Sequence, residues 1–259
     1  MLNSPDCAVH GVPCFSSHVP LQGPRPDADR GSTVIEVVIA TYHQDHVLKT
    51  LINSVKAQTL PANVADGSHT DNLGNYDEYF HEYPHWKLHL IHDGNDDFYR
   101  RMRDDLEANG YLDDRITYTC SEERCDDGYG HGNRHHGLVN LVSDESDYVI
   151  VANGDTYFVP VLFRWIDSIS RTDNPDFIYW DIAHRQIQNS PNVGGMSSHI
   201  MPDHIDWTAA AIRTSIAKSV GITSKALNAD WHYFNDALAF DPHPTISTYK
   251  LGKIMAVHN

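Results

Sequence analysis

Short apolar segments of strand type alternate with amphipathic segments of helix type from residue 34 to residue 182. Runs rich in β-branched residues indicate buried strands, and they occupy residues 34–40, 86–92, 115–120, 148–152 and 177–182. Between and after them, apolar residues recur at helical spacing, which predicts helices at residues 44–58, 98–106, 135–141, 159–169, 209–220 and 229–240. Such alternation is typical of an α/β fold with a mainly parallel central sheet and helices on both faces.

The remaining segments lack periodicity. Residues 1–32 are rich in Pro, Gly, Ser and Asp, which predicts an N-terminal arm made of loops rather than a domain. Residues 61–84 read as a polar insertion, and residues 194–198 as a flexible loop. We therefore expect one domain over residues 33–259, with a first half at 33–158 and a smaller second half at 159–259.

The arm contains the most compact cluster of potential zinc ligands in the sequence, which consists of Cys7, His10, Cys14 and His18. Two thiols and two imidazoles can hold Zn²⁺ tetrahedrally. The spacing is unlike that of common zinc fingers, and no helical pattern carries the histidines. These features favour a loosely docked arm over a zinc site.

Composition narrows the classes of function. The formal net charge is −16, from 19 basic and 35 acidic residues, so the chain would repel a nucleic-acid backbone. No segment approaches the roughly 18 apolar residues of a membrane-spanning helix, and the first residues do not resemble a signal peptide. Four cysteines in a chain of this length do not suggest a disulfide scaffold. We expect a soluble, cytoplasmic protein.

Polar residues follow three of the predicted strands at the point where each one ends. Thr41 and Tyr42 follow the first strand, His92 and Asp93 the second, and residues 153–155 (NGD) a later one. Because parallel α/β sheets bind ligands at the carboxyl ends of their strands, we expect these residues to form a site. Asn-Gly-Asp is also ordinary turn chemistry, so a purely structural turn is the alternative for the third cluster.

Four motifs in order resemble the nucleotide-sugar-dependent glycosyltransferases of the GT-A fold, above all the large inverting family 2. They are VVIATYHQDHVLKTLINSVKAQT, IHDGNDD, GNRHHGLVNLVSDESDYVIVANGD and ADWHYFNDAL. The resemblance covers roughly residues 34–258 and implies a Rossmann-like GT-A domain. It further implies that residues 33–158 form a nucleotide-binding half and residues 159–259 an acceptor-binding half.

The resemblance implies a divalent-cation site, with Mn²⁺ or Mg²⁺ as the cofactor. Asp155 matches the family aspartate that carries the metal, whereas Asn153 and Gly154 stand where the family usually has another carboxylate. GT-A enzymes often use a late histidine as a further ligand, and His258 has a fitting context. A carboxylate-bound cation neutralises the diphosphate leaving group.

The resemblance also implies a donor site. Thr41, Tyr42 and Asp93 would bind the base and ribose, because an aromatic ring can stack on a base and a carboxylate can accept from its N–H or from a ribose hydroxyl. Arg134 would meet a phosphate, and Asn153 would offer a neutral oxygen to the ribose. The alternatives are packing for Tyr42, a turn for Asp93 and an exposed polar loop for Arg134.

Asp230 matches the position of the family's catalytic base, which takes the proton of the acceptor hydroxyl in an inverting transfer. Ala229 stands where Glu is common, and Asp236 is the alternative base. A carboxylate in the first turn of a helix is also favoured by the helix dipole alone. Trp207 and Asp206 are the predicted acceptor-binding residues, beside the segment at 194–204.

The sequence thus predicts an inverting transfer from a nucleotide sugar, with a UDP-sugar favoured, to a glycan or another hydroxyl acceptor. One alternative is a nucleotidyltransferase on a similar sheet, although ATYHQDH lacks the Gly-rich, basic character of a phosphate loop. The other is a non-catalytic nucleotide-sugar-binding protein, which the missing carboxylate at Asn153 and the alanine at Ala229 would support.

Overall fold

The computed structural model describes residues 32–43, 45–61, 80–82, 85–125, 129–184, 194–202, 204–240 and 245–258. The predicted N-terminal arm, with Cys7, His10, Cys14 and His18, lies outside the described residues apart from Ser32. Most of the predicted insertion at residues 61–84 lies outside them as well.

The strands and helices follow the predicted alternation. The strands are β1 (Ile35–Thr41), β2 (Thr59–Pro61), β3 (Phe80–Glu82), β4 (Trp86–His92), β5 (Ile116–Cys120), β6 (Tyr148–Asn153), β7 (Thr156–Phe158), β8 (Phe177–His184), β9 (Gly194–Met196), β10 (Ala210–Arg213) and β11 (Thr248–His258). The α-helices are α1 (Asp45–Lys56), α2 (Asp97–Ala108), α3 (His131–His136), α4 (Leu162–Thr172), α5 (Thr214–Val220) and α6 (Ala229–Leu238). A π-helical segment (Gly137–Leu141) continues α3, and a 3₁₀ turn (Trp207–Ala209) precedes β10.

One large sheet joins the two halves of the described chain in the order β5-β4-β1-β6-β10-β8-β11-β7, and β9 pairs with β8. Strands β5, β4, β1 and β6 are parallel neighbours, and β8 and β11 are also parallel to each other. Strand β10 runs antiparallel between β6 and β8, and β7 and β9 are antiparallel to β11 and β8. The predicted α/β class with a mainly parallel central sheet is confirmed.

The register brings the polar strand ends to one edge of the sheet. Thr41 at the end of β1 pairs with His92 at the end of β4, and Ala40 pairs with Asn153 at the end of β6. Every residue of β1 is buried, so this central strand is covered on both faces. The buried residues of α1 are the ones that the helical spacing predicts: Leu48, Leu51, Ile52 and Val55. The core therefore fixes where the strand ends emerge.

Two local predictions were wrong. Residues 209–220 read as a single helix, but the structure divides them into the end of a 3₁₀ turn, strand β10 and helix α5. Ala210 and Ala211 are fully buried between β6 and β8, so sheet packing overrides the helical preference of alanine. Residues 194–196 were predicted as loop but form β9, which extends the sheet beside β8.

A buried polar network lies in the parallel part of the sheet. Glu36 is fully buried and its Oε2 lies 2.7 Å from His89 Nε2. The Ser143 amide donates to both Glu36 carboxylate oxygens, at 3.3 and 3.2 Å, and His89 Nδ1 lies 3.0 Å from Thr117 Oγ1. Removal of a single member of such a network lowers the stability of the fold, because the remaining partners stay buried without a hydrogen bond.

We therefore expect Glu36→Ala to lower the free energy of unfolding by about 3 kcal/mol, as measured by urea-induced unfolding. Glu107→Ala is the matched control, because Glu107 forms an exposed ion pair with Arg103. Its change should stay below about 1 kcal/mol. Equal stabilities of the two variants would show that the Glu36 network contributes little.

Candidate active site

A cavity of about 360 Å³ opens at the carboxyl ends of the parallel strands. All ten residues that the sequence predicts for the site line it, namely Thr41, Tyr42, Asp93, Arg134, Asn153, Asp155, Asp206, Trp207, Asp230 and His258. They come from widely separated parts of the chain, and the sheet register brings them together. The cavity is large enough to hold part of a nucleotide-sized ligand.

His258 lies between two carboxylates at one side of the cavity. Residues 153–155 turn the chain from β6 to β7, and β11 runs antiparallel to β7 with His258 opposite Thr156. This pairing places His258 Nε2 3.2 Å from Asp155 Oδ1, while His258 Nδ1 lies 2.9 Å from Asp206 Oδ2. Burial opposes a charge on the imidazole, but the two carboxylates outweigh it and raise the pKa of His258 to about 10. His258 is therefore an imidazolium when no cation is bound.

A second histidine lies beside this pair. His184 ends β8 and pairs with His258 across the parallel β8–β11 ladder, and the two ring centroids are 4.5 Å apart. Burial, together with the charge on His258, lowers the pKa of His184, so its imidazole is mainly neutral at pH 7. Ligand atoms of His184, Asp206 and His258 lie within 4.8 Å of one another.

These groups fit a divalent cation. Asp155 and Asp206 provide carboxylate oxygens, and the two imidazoles provide nitrogen donors close by. Carboxylates suit Mg²⁺ and Mn²⁺, whereas an imidazole ligand is less suited to Mg²⁺, which prefers oxygen. The donor set therefore fits Mn²⁺ better than Mg²⁺.

Arg134 holds the end of β6. Its guanidinium donates to the backbone oxygens of Tyr129 (2.6 Å) and Ala152 (3.3 Å) and to Asn153 Oδ1 (2.5 Å). The side chain is 5% exposed and lies 5.3 Å from the centroid of Trp207. These contacts engage all three nitrogens of the guanidinium that the sequence prediction assigns to a phosphate. In this structure Arg134 instead orients Asn153, whose Nδ2 in turn lies 3.3 Å from His258 Nε2.

Asp230 lies in the first turn of α6, and its Oδ1 accepts a 2.7 Å hydrogen bond from the Trp231 amide. Burial raises the pKa of Asp230 to about 7, and the negative charge of Asp206 adds to the effect. The neighbouring Ala229 is fully buried, so its position in this fold leaves no exposed site for a glutamate. Asp236, the alternative base, is exposed and is not part of the cavity lining.

The opposite side of the cavity carries the predicted nucleoside residues. Asp93 Oδ1 accepts from the Cys125 amide (2.7 Å) and from Asn133 Nδ2 (3.1 Å), so this carboxylate is held in a fixed orientation. Tyr42 is partly exposed, and the guanidinium of Arg124 lies over its ring at 4.3 Å from the centroid. Arg124 also lies 3.7 Å from Asp93 Oδ2. The Arg124 side chain is 60% exposed, so an aromatic base could take its place on the Tyr42 ring.

The two predicted acceptor residues are placed differently from the expectation. Trp207 is 4% exposed, because its ring packs against His131, Tyr233 and Phe234. It offers little free surface to a sugar ring. Asp206 accepts from the Thr208 amide at 2.9 Å and faces His258, so it belongs to the candidate metal group.

Sequence reasoning missed four side chains at the site: His184, Arg124, Tyr129 and Leu227. His184 and Arg124 could have been found, because each lies at or just after the carboxyl end of a predicted strand. Tyr129 and Leu227, which are 51% and 76% exposed, lie in loops at the cavity rim and carry no comparable signal.

Solved structures of glycosyltransferases share this fold. S. aureus TarS 1–349 in complex with UDP matches 87% of this chain and 60% of its own length, with 14% identity and a TM-score of 0.59. The same protein in complex with UDP-GlcNAc matches 87% of this chain and 58% of its own, with 12% identity and a TM-score of 0.59. The mannosyltransferase PcManGT from Pyrobaculum calidifontis, in complex with GDP-Man and Mn²⁺, matches 93% and 60%, with 11% identity and a TM-score of 0.55.

These likenesses confirm the predicted GT-A-like fold. The chain spans about 60% of the length of the TarS fragment and of PcManGT. No protein-family model matches the chain, and a search of curated proteins finds no match. None of the described helices combines the length and apolar character needed to cross a membrane.

Proposed function

We propose that this protein is a glycosyltransferase that moves a sugar from a nucleotide sugar, preferably a UDP-sugar, to a hydroxyl acceptor with inversion. The observation that carries the proposal is the position of Asp230. A carboxylate with a pKa of about 7 lines the same cavity as the Asp155–His258 pair. The GT-A-like fold, which the solved neighbours share in complexes with UDP, UDP-GlcNAc and GDP-Man, supports this choice.

Asp230 acts as the general base. An inverting transfer needs one group that removes the proton of the attacking hydroxyl, and no covalent intermediate requires a second, nucleophilic carboxylate. A base is most effective when its pKa lies near the working pH. Burial gives Asp230 this property, and the hydrogen bond from the Trp231 amide to Oδ1 leaves Oδ2 for the substrate.

Asp155 and His258 hold the divalent cation, and His184 is a further candidate ligand. A bound cation would neutralise charge on the diphosphate leaving group. Asp206 acts as a positioning residue, since it faces His258 Nδ1 while His258 Nε2 faces Asp155. Histidine ligands of metals are commonly oriented by such a carboxylate. Asp206 therefore holds the His258 ring with its Nε2 toward Asp155.

Asp93, Thr41 and Tyr42 bind the nucleoside of the donor, with Arg124 as an additional contact. Asn153 offers a polar group to the ribose, and the Arg134 guanidinium holds Asn153 in place by donating to its Oδ1. The acceptor, a glycan or another molecule with a hydroxyl group, enters past Tyr129 and Leu227. Their exposed apolar surfaces at the rim support this route.

A donor screen tests the proposal. The protein is heated with each of a panel of nucleotide sugars and Mn²⁺, and a donor at 100 times its dissociation constant should add about 2.7 kcal/mol of stability. The compounds that bind are then assayed for release of nucleoside diphosphate. Binding without turnover across many acceptors would favour the non-catalytic alternative. Release of pyrophosphate from a nucleoside triphosphate and a sugar phosphate would favour a nucleotidyltransferase.

The pH dependence follows from the protonation of Asp230. A base must be deprotonated to act, so kcat at saturating donor and Mn²⁺ should rise as the pH increases through about 7 and then level off. Initial rates between about pH 5.5 and 8.5 measure this profile. A flat profile, or a rate that falls through pH 7, would contradict the role of Asp230.

A further inference from the structure

A second group of potential metal ligands lies beside the nucleoside side of the cavity and is not used by the proposed reaction. It consists of His43, His92 and Asp96, whose ligand atoms all lie within 4.8 Å of one another. Asp96 Oδ2 lies 2.9 Å from His43 Nε2, and Asp96 Oδ1 lies 3.5 Å from His92 Nε2. Two imidazole nitrogens thus converge on one carboxylate.

His92 is the unusual member of this cluster. Its side chain is 0% exposed, yet its Nε2 makes no hydrogen bond with any described residue. A buried polar atom normally has a hydrogen-bond partner. Without such a partner, Nε2 of His92 is available to bind a ligand. Its other nitrogen, Nδ1, lies 3.3 Å from the Tyr118 hydroxyl.

The rest of the cluster is built to meet that nitrogen. Asp96 is the N-cap of α2 and accepts from the Tyr99 amide at 2.8 Å, which fixes the carboxylate. His43 has a left-handed backbone, with φ of 46°, a conformation that is uncommon for residues other than glycine and often marks functional positions.

We propose that His43, His92 and Asp96 bind a zinc-type transition-metal ion, with water completing the coordination. Zn–N bonds of about 2.0–2.1 Å place tetrahedral ligand atoms roughly 3.3 Å apart. His43 Nε2 lies 2.9 Å from Asp96 Oδ2 and His92 Nε2 lies 3.5 Å from Asp96 Oδ1, so each imidazole faces a different oxygen of the same carboxylate. His92 forms the rigid part of the site. The His43 and Asp96 side chains are 45% and 39% exposed, which leaves a path for the ion.

The ligand types select the metal and set the hydrogen-bond pattern. Two imidazoles and one carboxylate suit Zn²⁺, Co²⁺ or Ni²⁺ better than Mg²⁺. With the ion on Nε2, His92 carries its proton on Nδ1 and donates it to the Tyr118 hydroxyl oxygen. Such an outer hydrogen bond commonly fixes the tautomer of a metal-bound histidine.

The cluster also lies beside Tyr42, one of the residues that we propose bind the nucleoside. The His43 ring stacks on Tyr42 with centroids 4.1 Å apart and an interplanar angle of 12°. An ion that fixes His43 therefore also fixes Tyr42 at the cavity wall. This structural metal is separate from the cation that we propose at Asp155 and His258.

Cobalt titration tests the site without donor, acceptor or turnover. To remove the other potential metal sites, the measurement uses the full chain with Asp155→Ala and His258→Ala and with Cys7→Ser and Cys14→Ser in the N-terminal arm, stripped of metal and then titrated with CoCl₂. We expect one Co²⁺ per chain with visible absorption of a tetrahedral complex. Adding His43→Ala or Asp96→Asn to this protein should weaken Co²⁺ binding at least about 10-fold, and Zn²⁺ should displace the cobalt.

The matched control is His136→Ala, an exposed histidine outside both clusters that contacts Asn140. The His136→Ala protein should bind Co²⁺ with the same affinity as its parent, the protein that carries only the background substitutions. Asn is a good N-cap, so Asp96→Asn should stay folded, and far-UV circular dichroism checks this point. Absence of Co²⁺ binding in the folded parent, or equal affinity in the parent and the His43→Ala protein, would overturn the proposal. Loss of glycosyl transfer alone would not affect it.

Discussion

Asp230→Asn should lower kcat at least about 100-fold, the effect expected when a positioned general base is removed. Asparagine has nearly the same shape, and its carbonyl oxygen can still accept from the Trp231 amide. The variant lacks only the carboxylate that we propose takes the acceptor's proton. Because the change also removes a charge that burial disfavours, the protein should be at least as stable as the wild type.

Parallel measurements of donor binding and turnover check this result. The dissociation constant of the donor with Mn²⁺ should change less than about threefold, because Asp230 contacts the acceptor side. Asp236→Asn is the control on the same helix, since Asp236 is exposed and outside the cavity lining. Its kcat should equal that of the wild type. Turnover that is unchanged in Asp230→Asn would remove Asp230 from the mechanism.

The second large effect concerns the cation. Asp155→Ala and His258→Ala should each weaken Mn²⁺ binding by at least about 10-fold, together with the part of donor binding that depends on the metal. Calorimetric titration of Mn²⁺, with and without UDP, measures both. Asp144→Ala is the control, because the Asp144 side chain is 90% exposed and lines a different cavity.

Mn²⁺ binding should also depend on pH. The metal must replace the proton on His258 Nε2, and the pKa of His258 is about 10 in the protein without metal. Below that pH each bound ion releases a proton, so the apparent affinity should rise up to about tenfold per pH unit. An affinity for Mn²⁺ that is independent of pH and of both substitutions would show that the cation, if any, binds elsewhere.

Much of the fold and of the candidate site could be predicted because parallel strands end at one edge. Thr41, His92 and Asn153 each end a buried, mainly apolar run, and the alternation of such runs with helices predicts parallel strands. Their register then brings the ends together. The GT-A resemblance extended this prediction to Asp230 and His258, which arrive from distant segments.

Other features depend on tertiary packing that local patterns do not report. Ala210 and Ala211 favour a helix on their own, but pairing of β10 with β6 and β8 holds them in an extended strand. The sequence assigns Asp206 to the acceptor, and nothing in its local sequence indicates that it lies beside His258. Likewise, nothing near Arg134 in the sequence indicates the protein oxygens that its guanidinium contacts.

The most direct test of the proposed glycosyl transfer is to monitor the release of nucleoside diphosphate by ³¹P NMR. The wild-type protein is incubated with Mn²⁺, a panel of nucleotide sugars and a mixture of hydroxyl acceptors. We predict that at least one nucleotide sugar yields its nucleoside diphosphate, and that chelation of the cation and the Asp230→Asn change each stop the reaction. Donors that bind the protein but remain intact under every condition would contradict the proposed glycosyl transfer. Turnover by Asp230→Asn equal to that of the wild type would contradict the role of Asp230 as the base.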